Sequence, residues 1–275
     1  MNSPVPLFEA DDGAVFGKEE FVAALRGVGV HSGDTCFVHT DIRVFGRPKT
    51  TDWPLLLGNL EEALIESVGA EGTLIVPTFS YSFCKNETFD VEVTPGTVGV
   101  LNEHFRKRQD VRRSNHPIFS VAVWGNKRDK LRQVGDDSFG EDSIFGSLRQ
   151  DRGKIVFLGA SFQACTFVHY VEQAHGVPYR YMKSFFGTVI ENGCARDTQC
   201  TYLVRYLDAN VVLDLARLER SLLADGLMRR ILLGEGQVLI VSALDLFDRA
   251  YSMLDGDIFS LLREPPRLPN QHERS

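Results

Sequence analysis

The chain has 275 residues, with 30 Lys or Arg against 37 Asp or Glu, so its formal net charge at neutral pH is −7. A hydrophobic fraction of 43% and a charged fraction of 24% exclude a disordered chain, a collagen-like repeat and a fibrous coiled coil. The acidic balance also disfavours nucleic acid, because a phosphate backbone needs a basic partner face. The composition therefore predicts a folded enzyme or small-ligand binder, and the length fits one large domain.

The expected compartment is the cytoplasm. No segment reaches the roughly 18 consecutive apolar residues that a membrane span needs, so we expect no membrane partner. Residues 1–13 contain acidic side chains and neither Lys nor Arg, which is the opposite of a signal peptide. The five cysteines are scattered without a CxxC pair, so the sequence indicates free thiols rather than a zinc site or disulfide framework.

Short apolar runs alternate with longer amphipathic runs along most of the chain. This alternation predicts a layered α/β domain. In chain order, the pattern predicts a helix at 16–28, a strand at 35–39, a helix at 52–68, a strand at 72–78, a helix at 98–108 and a strand at 118–124. It continues with helices near Lys127 and Ser143, a central strand at 154–159 and a helix that begins at Ser161.

The C-terminal part changes character. Two β-like stretches around Asn192-Gly193 predict a hairpin at 185–206, expected on the acceptor side of the site. Residues 209–262 are predicted to be mostly helical, with one strand at 237–241. We expect a single domain over 1–263, and a disordered tail over 264–275 because it carries three prolines and few apolar residues.

The segment after the central strand carries the strongest chemical signal. A helix from Ser161 would put Thr166, His169 and Glu172 within an arc of about 120°. A carboxylate beside an imidazole fixes its tautomer and supports a general base, and open α/β sheets bind ligands beyond the carboxyl ends of strands. From spacing alone, the alternative is a surface His–Glu pair, worth roughly a few tenths of a kcal/mol.

Two other interpretations of this segment are open. His169, Glu172 and His175 form an HxxExxH array, which lacks the i, i+4 histidine pair of zinc proteases and disfavours a metal site. Cys165 precedes His169 by four residues, so a Cys–His nucleophile is conceivable. Buried inert cysteines are far commoner.

Two further clusters suit an anionic ligand. Arg113 and Ser114 lie in a turn entering a strand and could hold a phosphate, since Arg offers a fork of donors. The strand at 35–39 runs into a loop ending at Gly46, whose backbone amides could grip an anion or a pantetheine amide. Neither GxGxxG nor GxxxxGK[ST] occurs, so no Rossmann or P-loop nucleotide site is indicated.

Taken together, six motifs resemble the aminoglycoside 3-N-acetyltransferase family over roughly residues 17–180. The most specific are R-S-x-H-P-x-x-S from Arg113 and T-x-x-H-x-x-E from Thr166. Each motif is weak alone, whereas the ordered set is specific. The six are VHTDIRVFG, EGTLIVPTFS, TPGTVGVLNEHFR, RRSNHPIFS, GKIVFLGA and TFVHYVEQAHGVPYR.

The resemblance implies a three-layer α/β/α domain with a central mixed sheet, unrelated to the common acetyltransferase fold. It implies acetyl-CoA as the acetyl donor, no metal, and His169 and Glu172 as the catalytic pair, with Thr166 a candidate hydroxyl donor. The cofactor-binding residues that it implies are Thr40, Asp41, Ile42, Arg43, Gly46, Arg113, Ser114 and Ser120. One departure is Asp41, where the family has a small hydroxyl residue; a carboxylate near a polyanionic cofactor is unfavourable unless it turns away or binds an amide.

We therefore expect an N-acetyltransferase that moves acetyl from acetyl-CoA to an amine of a small-molecule amino sugar, directly and with His169 as base. The run VPYRYMKSFFG resembles relatives encoded with polysaccharide assembly enzymes, which slightly favours a nucleotide-linked or other biosynthetic sugar. An aminoglycoside antibiotic is the alternative acceptor. A Cys165-dependent acyltransferase or hydrolase and a non-catalytic binder also stay open, as does a homodimer.

Overall fold

The computed structural model describes residues 5–267. Its helices are α1 (Lys18–Val28), α2 (Trp53–Val68), α3 (Val100–Phe105), α4 (Ile144–Gln150), α5 (Val168–His175), α6 (Ala216–Ala224) and α7 (Ala243–Gly256). Its strands are β1 (Pro6–Glu9), β2 (Val15–Gly17), β3 (Thr35–Thr40), β4 (Arg47–Pro48), β5 (Thr73–Pro77), β6 (Phe89–Asp90), β7 (Arg112–Arg113), β8 (Val121–Gly125), β9 (Lys154–Leu158), β10 (Arg180–Glu191), β11 (Cys194–Arg205), β12 (Met228–Leu233) and β13 (Gly236–Ser242).

A seven-stranded sheet in the order β12-β13-β9-β3-β5-β8-β7 forms the middle of the molecule. Its three central strands, β9, β3 and β5, are parallel to one another, whereas the flanking pairs β9–β13, β12–β13, β5–β8 and β7–β8 are antiparallel. The carboxyl ends of the three parallel strands therefore meet at one edge of the sheet, where α/β sheets bind their ligands.

Helices cover both faces of this sheet. Along β3, Cys36 and Val38 point into a core shared with α1, α2 and α3, whereas Phe37 points into a second core shared with α4, α5, α6 and α7. Burial on both faces explains why β3 and β9 are nearly continuous apolar runs instead of alternating ones. The result is a three-layer α/β/α domain with a mixed sheet, and the predicted fold class is confirmed.

The loop after β3 is locked to the end of β9. The backbone N–H of Asp41 donates to the Leu158 carbonyl at 2.9 Å. Gly159 has a φ of +75°, and a Cβ built on it would lie 2.2 Å from the Asp41 carbonyl oxygen. Only glycine permits both this left-handed backbone and this close approach. The contact fixes where the loop over residues 41–45 leaves the sheet edge.

The helix predicted to begin at Ser161 begins at Val168 in the structure, so its predicted start is wrong. The hydroxyl of Ser161 accepts from the Gln163 N–H and forms a short 3₁₀ turn at 162–164, and extended backbone at Cys165 then separates that turn from α5. Thr166 therefore lies in a turn before α5 instead of on the helix that carries His169 and Glu172. The apolar spacing of the segment comes from two short helical pieces that both pack on the same core.

The mostly helical prediction for residues 209–262 misses one strand. Residues 228–233 form β12 at the edge of the central sheet, antiparallel to β13. Of its side chains Met228 is buried, whereas Arg229 and Leu232 are exposed. An edge strand with basic residues and one buried anchor lacks the β-branched, alternating pattern that sequence reasoning requires.

The long hairpin consists of β10 and β11, twelve residues each, joined at Asn192-Gly193. It begins at Arg180, five residues before the predicted start. β10 also pairs in parallel with the short strand β6, so the hairpin forms a second sheet beside the central one. Of the predicted tail, residues 264–267 are described, and the Arg267 N–H donates to the Ala209 carbonyl at 2.8 Å; residues 268–275 lie outside the described range.

None of the helices between residues 5 and 267 combines the length and the apolar character that crossing a membrane requires.

Candidate active site

Two adjoining pockets lie at the edge where the parallel strands end. The first, about 350 Å³, is lined by residues 40–43 and 99–101, and we call it the loop pocket. The second, about 270 Å³, is the strand-end pocket. The two share Thr40 and Gly99 and therefore adjoin, and we call the pair of pockets the cleft. The strand-end pocket is lined by His39, Thr40, Pro77, Phe79, Tyr81, Val98, Gly99, Asn102, Ala160, Ala164 and Thr166.

A buried carboxylate links helix α5 to the first residue of β10. Glu172 is completely buried, and its Oε2 atom lies 2.6 Å from Nδ1 of His169. The same oxygen lies 2.8 Å from Nε of Arg180, whose side chain is 5% exposed. The predicted contact between His169 and Glu172 is present. The ion pair between Arg180 and Glu172 was not predicted from the sequence.

The electrostatics of this group favour a neutral imidazole beside an ionised carboxylate. Burial alone would raise the pKa of Glu172, but the nearby His169 and the charge of Arg180 hold it below its ordinary value. Burial lowers the pKa of His169, and Glu172 opposes that effect only in part. Because the permanent charge of Arg180 keeps Glu172 ionised, Nδ1 of His169 carries its proton toward the carboxylate. Nε2 is then left with a free lone pair, as a general base requires.

Thr166 contacts the backbone of His169, and Phe139 contacts its ring. The carbonyl of Thr166 accepts from the His169 N–H at 3.1 Å, and Thr166 lines the strand-end pocket. The ring of Phe139 lies 5.4 Å from the His169 ring. The base therefore lies three residues along the chain from a residue of the strand-end pocket, and its ring packs on Phe139 of the aromatic core.

The predicted cofactor loop divides into residues that line the cleft and one that does not. Thr40, Asp41, Ile42 and Arg43 line the loop pocket. Thr40 lies at the junction of the two pockets, where its hydroxyl donates to Asn102 Oδ1 at 2.6 Å. Gly46 is in a different environment: a Cβ there would lie 2.5 Å from the Glu9 carbonyl oxygen. Gly46 is needed for packing against β1, and its predicted cofactor contact stays a prediction.

Asp41, the departure from the family pattern, is neutralised by its neighbour. Its carboxylate accepts from the Arg43 guanidinium at 2.9 and 3.0 Å and from the Arg43 N–H at 3.3 Å, which caps the short turn at 42–45. The hydrogen bond from Arg43 holds the pKa of Asp41 below its ordinary value. The carboxylate thus turns toward a cation of its own loop.

The side chains of the Arg-Ser cluster make many hydrogen bonds within the fold. Arg113 is 6% exposed, and its guanidinium donates to five protein oxygens, including the Thr78 carbonyl at 2.7 Å and Ser120 Oγ at 3.1 Å. Ser114 is completely buried, and its hydroxyl accepts from the Val121 N–H at 2.9 Å. These side chains brace the turn after β5 against β7 and β8, and the phosphate contacts predicted for Arg113, Ser114 and Ser120 stay predictions.

The geometry disfavours both alternative chemistries of the α5 segment. Cys165 is 2% exposed, and burial raises the pKa of its thiol to about 12, so it holds almost no thiolate at neutral pH. His175 pairs with Asp255 at 3.2 Å. Among residues 5–267, no group of three or more His, Cys, Asp or Glu side chains is placed to hold a metal ion.

Sequence reasoning missed the wall of the cleft that faces β3. Phe79, Tyr81, Gly99 and Asn102 line it, although they lie in motifs that the family resemblance had already singled out. Gly99 has a φ of +78°, and Tyr81 has a φ of +56°, which is an unusual backbone for an aromatic residue and is concentrated at functional sites. A glycine pair around Thr97 and Val98 was the available signal for this turn.

Comparison with known proteins agrees with this architecture. The sequence profile described as aminoglycoside 3-N-acetyltransferase matches residues 37–255. The SPbeta prophage-derived aminoglycoside N(3')-acetyltransferase-like protein YokD of Bacillus subtilis is 26% identical over 200 residues, covering 64% of this chain and 71% of that protein. Aminoglycoside N(3)-acetyltransferase IV of a Salmonella species is 32% identical over 168 residues, covering 59% of this chain and 60% of that protein.

Solved structures give the same result over a longer span. The apoenzyme of aminoglycoside acetyltransferase AAC(3)-IVa superposes with a TM-score of 0.74 at 26% identity, covering 91% of this chain and 92% of that one. The fold and the profile together define an N-acetyltransferase, an enzyme that uses acetyl-CoA. More particularly, the chain belongs to the aminoglycoside 3-N-acetyltransferase family, and the predicted family, fold and donor are confirmed.

The bracing role of Arg113 predicts how its substitution behaves. Arg113→Lys keeps the charge but removes most of the donors, and each buried oxygen left without one costs roughly 1–3 kcal/mol. We expect the free energy of unfolding in urea to fall by about 3 kcal/mol, with the KM for acetyl-CoA within about threefold of the wild type. Arg112→Lys, at the exposed neighbouring position, is the control and should leave both quantities unchanged. A raised KM for acetyl-CoA in Arg113→Lys with unchanged stability would instead indicate that Arg113 contacts a phosphate of the donor.

Proposed function

We propose that this chain transfers the acetyl group of acetyl-CoA to an amine of an aminoglycoside, with His169 as the general base. One observation carries the proposal: the Glu172 carboxylate is completely buried, and it holds the His169 imidazole through Nδ1. A buried pair of this kind positions Nε2 for proton transfer. An imidazole on a solvated helix face would not be fixed in this way.

The cleft suits an elongated donor. The loop pocket and the strand-end pocket are continuous through Thr40 and Gly99, and Arg43 at the outer end is exposed. An anionic portion of the donor would lie near Arg43, and the acetyl thioester would lie near Thr166. We propose Thr40, Asp41, Ile42 and Arg43 as donor-binding residues, with Asp41 acting by orienting Arg43.

The reaction follows from these positions. An amine in water is mostly ammonium, which has no lone pair for attack. Nε2 of His169 takes a proton from the amine, directly or through one water, while the Glu172 carboxylate stabilises the imidazolium that forms. The amine nitrogen bonds to the thioester carbonyl carbon, the C–S bond breaks, and the thiolate leaves and is protonated. Thr166 is a candidate donor to the oxygen that becomes negative.

The charges around His169 favour a cationic acceptor. The loop over residues 135–142 carries four carboxylates, on Asp136, Asp137, Glu141 and Asp142. It is tied to α5 because Gln173 donates to Asp137 at 2.7 Å and the Tyr170 hydroxyl donates to Glu141 at 2.9 Å. A polycationic amino sugar is attracted to such a loop, whereas a nucleotide-linked sugar is repelled.

The basic residues that a nucleotide-linked sugar would need have other partners. Arg180 is buried against Glu172. Lys183 lies 5.1 Å from the ring centroid of Phe185, and Arg196 is exposed on β11, where it donates to Thr198. The slight preference of the sequence analysis for a biosynthetic sugar is therefore reversed. AAC(3)-IVa, 25% identical to this chain, has been solved in complex with a gentamicin and with apramycin, which supports the same choice.

An acceptor panel tests this proposal. Purified protein and acetyl-CoA are mixed with aminoglycosides, nucleotide-linked amino sugars and free amino sugars, and the release of CoA thiol is followed. We expect thiol release with at least one aminoglycoside and a kcat/KM at least tenfold above that of any nucleotide-linked sugar. Preference for a nucleotide-linked sugar would contradict the acceptor assignment, and no release with any amine would contradict the activity.

Removing the base gives a second prediction. His169→Ala should lower kcat by about 100-fold or more and leave the affinity for acetyl-CoA within about threefold. Because burial lowers the pKa of His169, wild-type kcat/KM should stay constant down to below pH 6.5 and then fall as the imidazole becomes protonated. Cys165→Ala is the control and should keep kcat within about threefold. Loss of activity in Cys165→Ala with retention in His169→Ala would identify thiol chemistry instead.

A further inference from the structure

His39 is a histidine that lines the strand-end pocket and that the mechanism has not used. It is the fifth residue of β3, and its ring lies between two aromatic side chains of the sheet. It stacks on Phe157, with centroids 5.1 Å apart and planes inclined by 12°, and packs on Phe37 at 5.1 Å. Packing on both sides holds the plane of the imidazole along the end of the strand, where it lines the strand-end pocket.

The imidazole of His39 lacks a protein partner for its buried nitrogen. His39 is 7% exposed, and its Nε2 atom is buried with no hydrogen bond among residues 5–267. Leaving a buried polar group unsatisfied costs roughly 1–3 kcal/mol. Phe37, two residues earlier on the same face, shows that this face accepts a purely apolar ring. A histidine at this position therefore costs stability that a phenylalanine would not.

His116 shows what a structural histidine looks like in the same protein. It is also buried, at 4% exposure, but its Nδ1 accepts from the N–H groups of Ile118 and Phe119 at 3.2 and 3.1 Å. Its Nε2 lies 3.3 Å from the hydroxyl of Ser138. Both nitrogens of His116 are satisfied and stabilise a turn, whereas Nε2 of His39 has no such partner although His39 lines the strand-end pocket.

We propose that His39 is a catalytic residue of this acetyltransferase, whose imidazole N–H donates a hydrogen bond to the carbonyl oxygen of the acetyl thioester. The proposal rests on the proposed function, since it requires the acetyl end of the donor to reach the strand-end pocket. His39 and Thr166 both line that pocket, and the Thr166 carbonyl binds the backbone N–H of the base, His169. An acetyl carbonyl bound in that pocket would lie between residues that both line it.

In this proposal His169 accepts the proton of the amine, and His39 stabilises the charge on the carbonyl oxygen. When the amine nitrogen attacks, the electron pair of the C=O double bond moves onto oxygen, and the hydrogen bond from His39 stabilises that charge. The charge returns to form the carbonyl of the amide as the C–S bond breaks, so His39 gains and loses no proton overall. Burial lowers the pKa of His39 to about 3, which keeps it a neutral donor throughout the range in which His169 acts as base.

Stability and activity should move in opposite directions when the ring is made apolar. His39→Phe keeps the stacking on Phe157 and removes the unsatisfied nitrogen, so we expect a free energy of unfolding equal to or above that of the wild type. We expect kcat to fall by about 100-fold, the usual scale for one oxyanion donor. The pH below which kcat/KM declines should not move, because His169 is unchanged.

A second variant and two binding measurements complete the test. His39→Gln retains an N–H donor of similar reach, so its kcat should be at least tenfold higher than the kcat of His39→Phe. Calorimetry should give affinities for CoA, which has no acetyl carbonyl, within about threefold of wild type for both variants. His39→Phe with kcat within about threefold of wild type would overturn the proposal, as would His39→Gln no more active than His39→Phe.

These outcomes are distinct from failure of the proposed function. If the wild type binds acetyl-CoA and acetylates an aminoglycoside while His39→Phe does so equally well, only the role of His39 is lost. If the wild type neither binds acetyl-CoA nor releases thiol, both the function and the role of His39 are overturned. A His39→Phe protein that unfolds more easily than the wild type would instead identify His39 as a structural residue.

Discussion

The charge of one completely buried carboxylate governs the active site. An ionised carboxylate in the interior costs several kcal/mol unless its charge is shared, and Glu172 shares it with His169 and Arg180 at 2.6 and 2.8 Å. Because Arg180 is the first residue of β10, the same contact ties the long hairpin to helix α5. The orientation of the base and the position of the hairpin therefore depend on one group.

The rest of the site follows from the sheet. The parallel strands β9, β3 and β5 end at one edge, and the close approach of Gly159 to Asp41 sets the path of the loop that leaves β3. Arg113 braces the opposite wall by satisfying the turn after β5. Side chains on different segments thus line two adjoining pockets, one beside the ion-paired loop and the other beside Thr166, three residues before the base.

Sequence reasoning predicted what local patterns can encode, and it missed what long-range contacts decide. The central strands, the fold class and the contact of His169 with Glu172 follow from periodicity and i, i+3 spacing. The contact of Arg180 with Glu172 and the burial of Arg113 cannot be predicted in this way. The sequence around an arginine is the same whether its side chain contacts a phosphate or the carbonyl oxygens of the protein. Likewise, β12 was missed because its pairing with β13, rather than its own composition, makes it a strand.

The central claim is that Glu172 holds His169 as a neutral base with its proton on Nδ1. ¹⁵N NMR of the imidazoles, with His169→Gln used to assign the signal, measures this directly. We predict a neutral, Nδ1-protonated ring at pH 7 that titrates below the ordinary imidazole value of about 6.5. An imidazolium at pH 7, or a neutral ring with its proton on Nε2, would contradict the account.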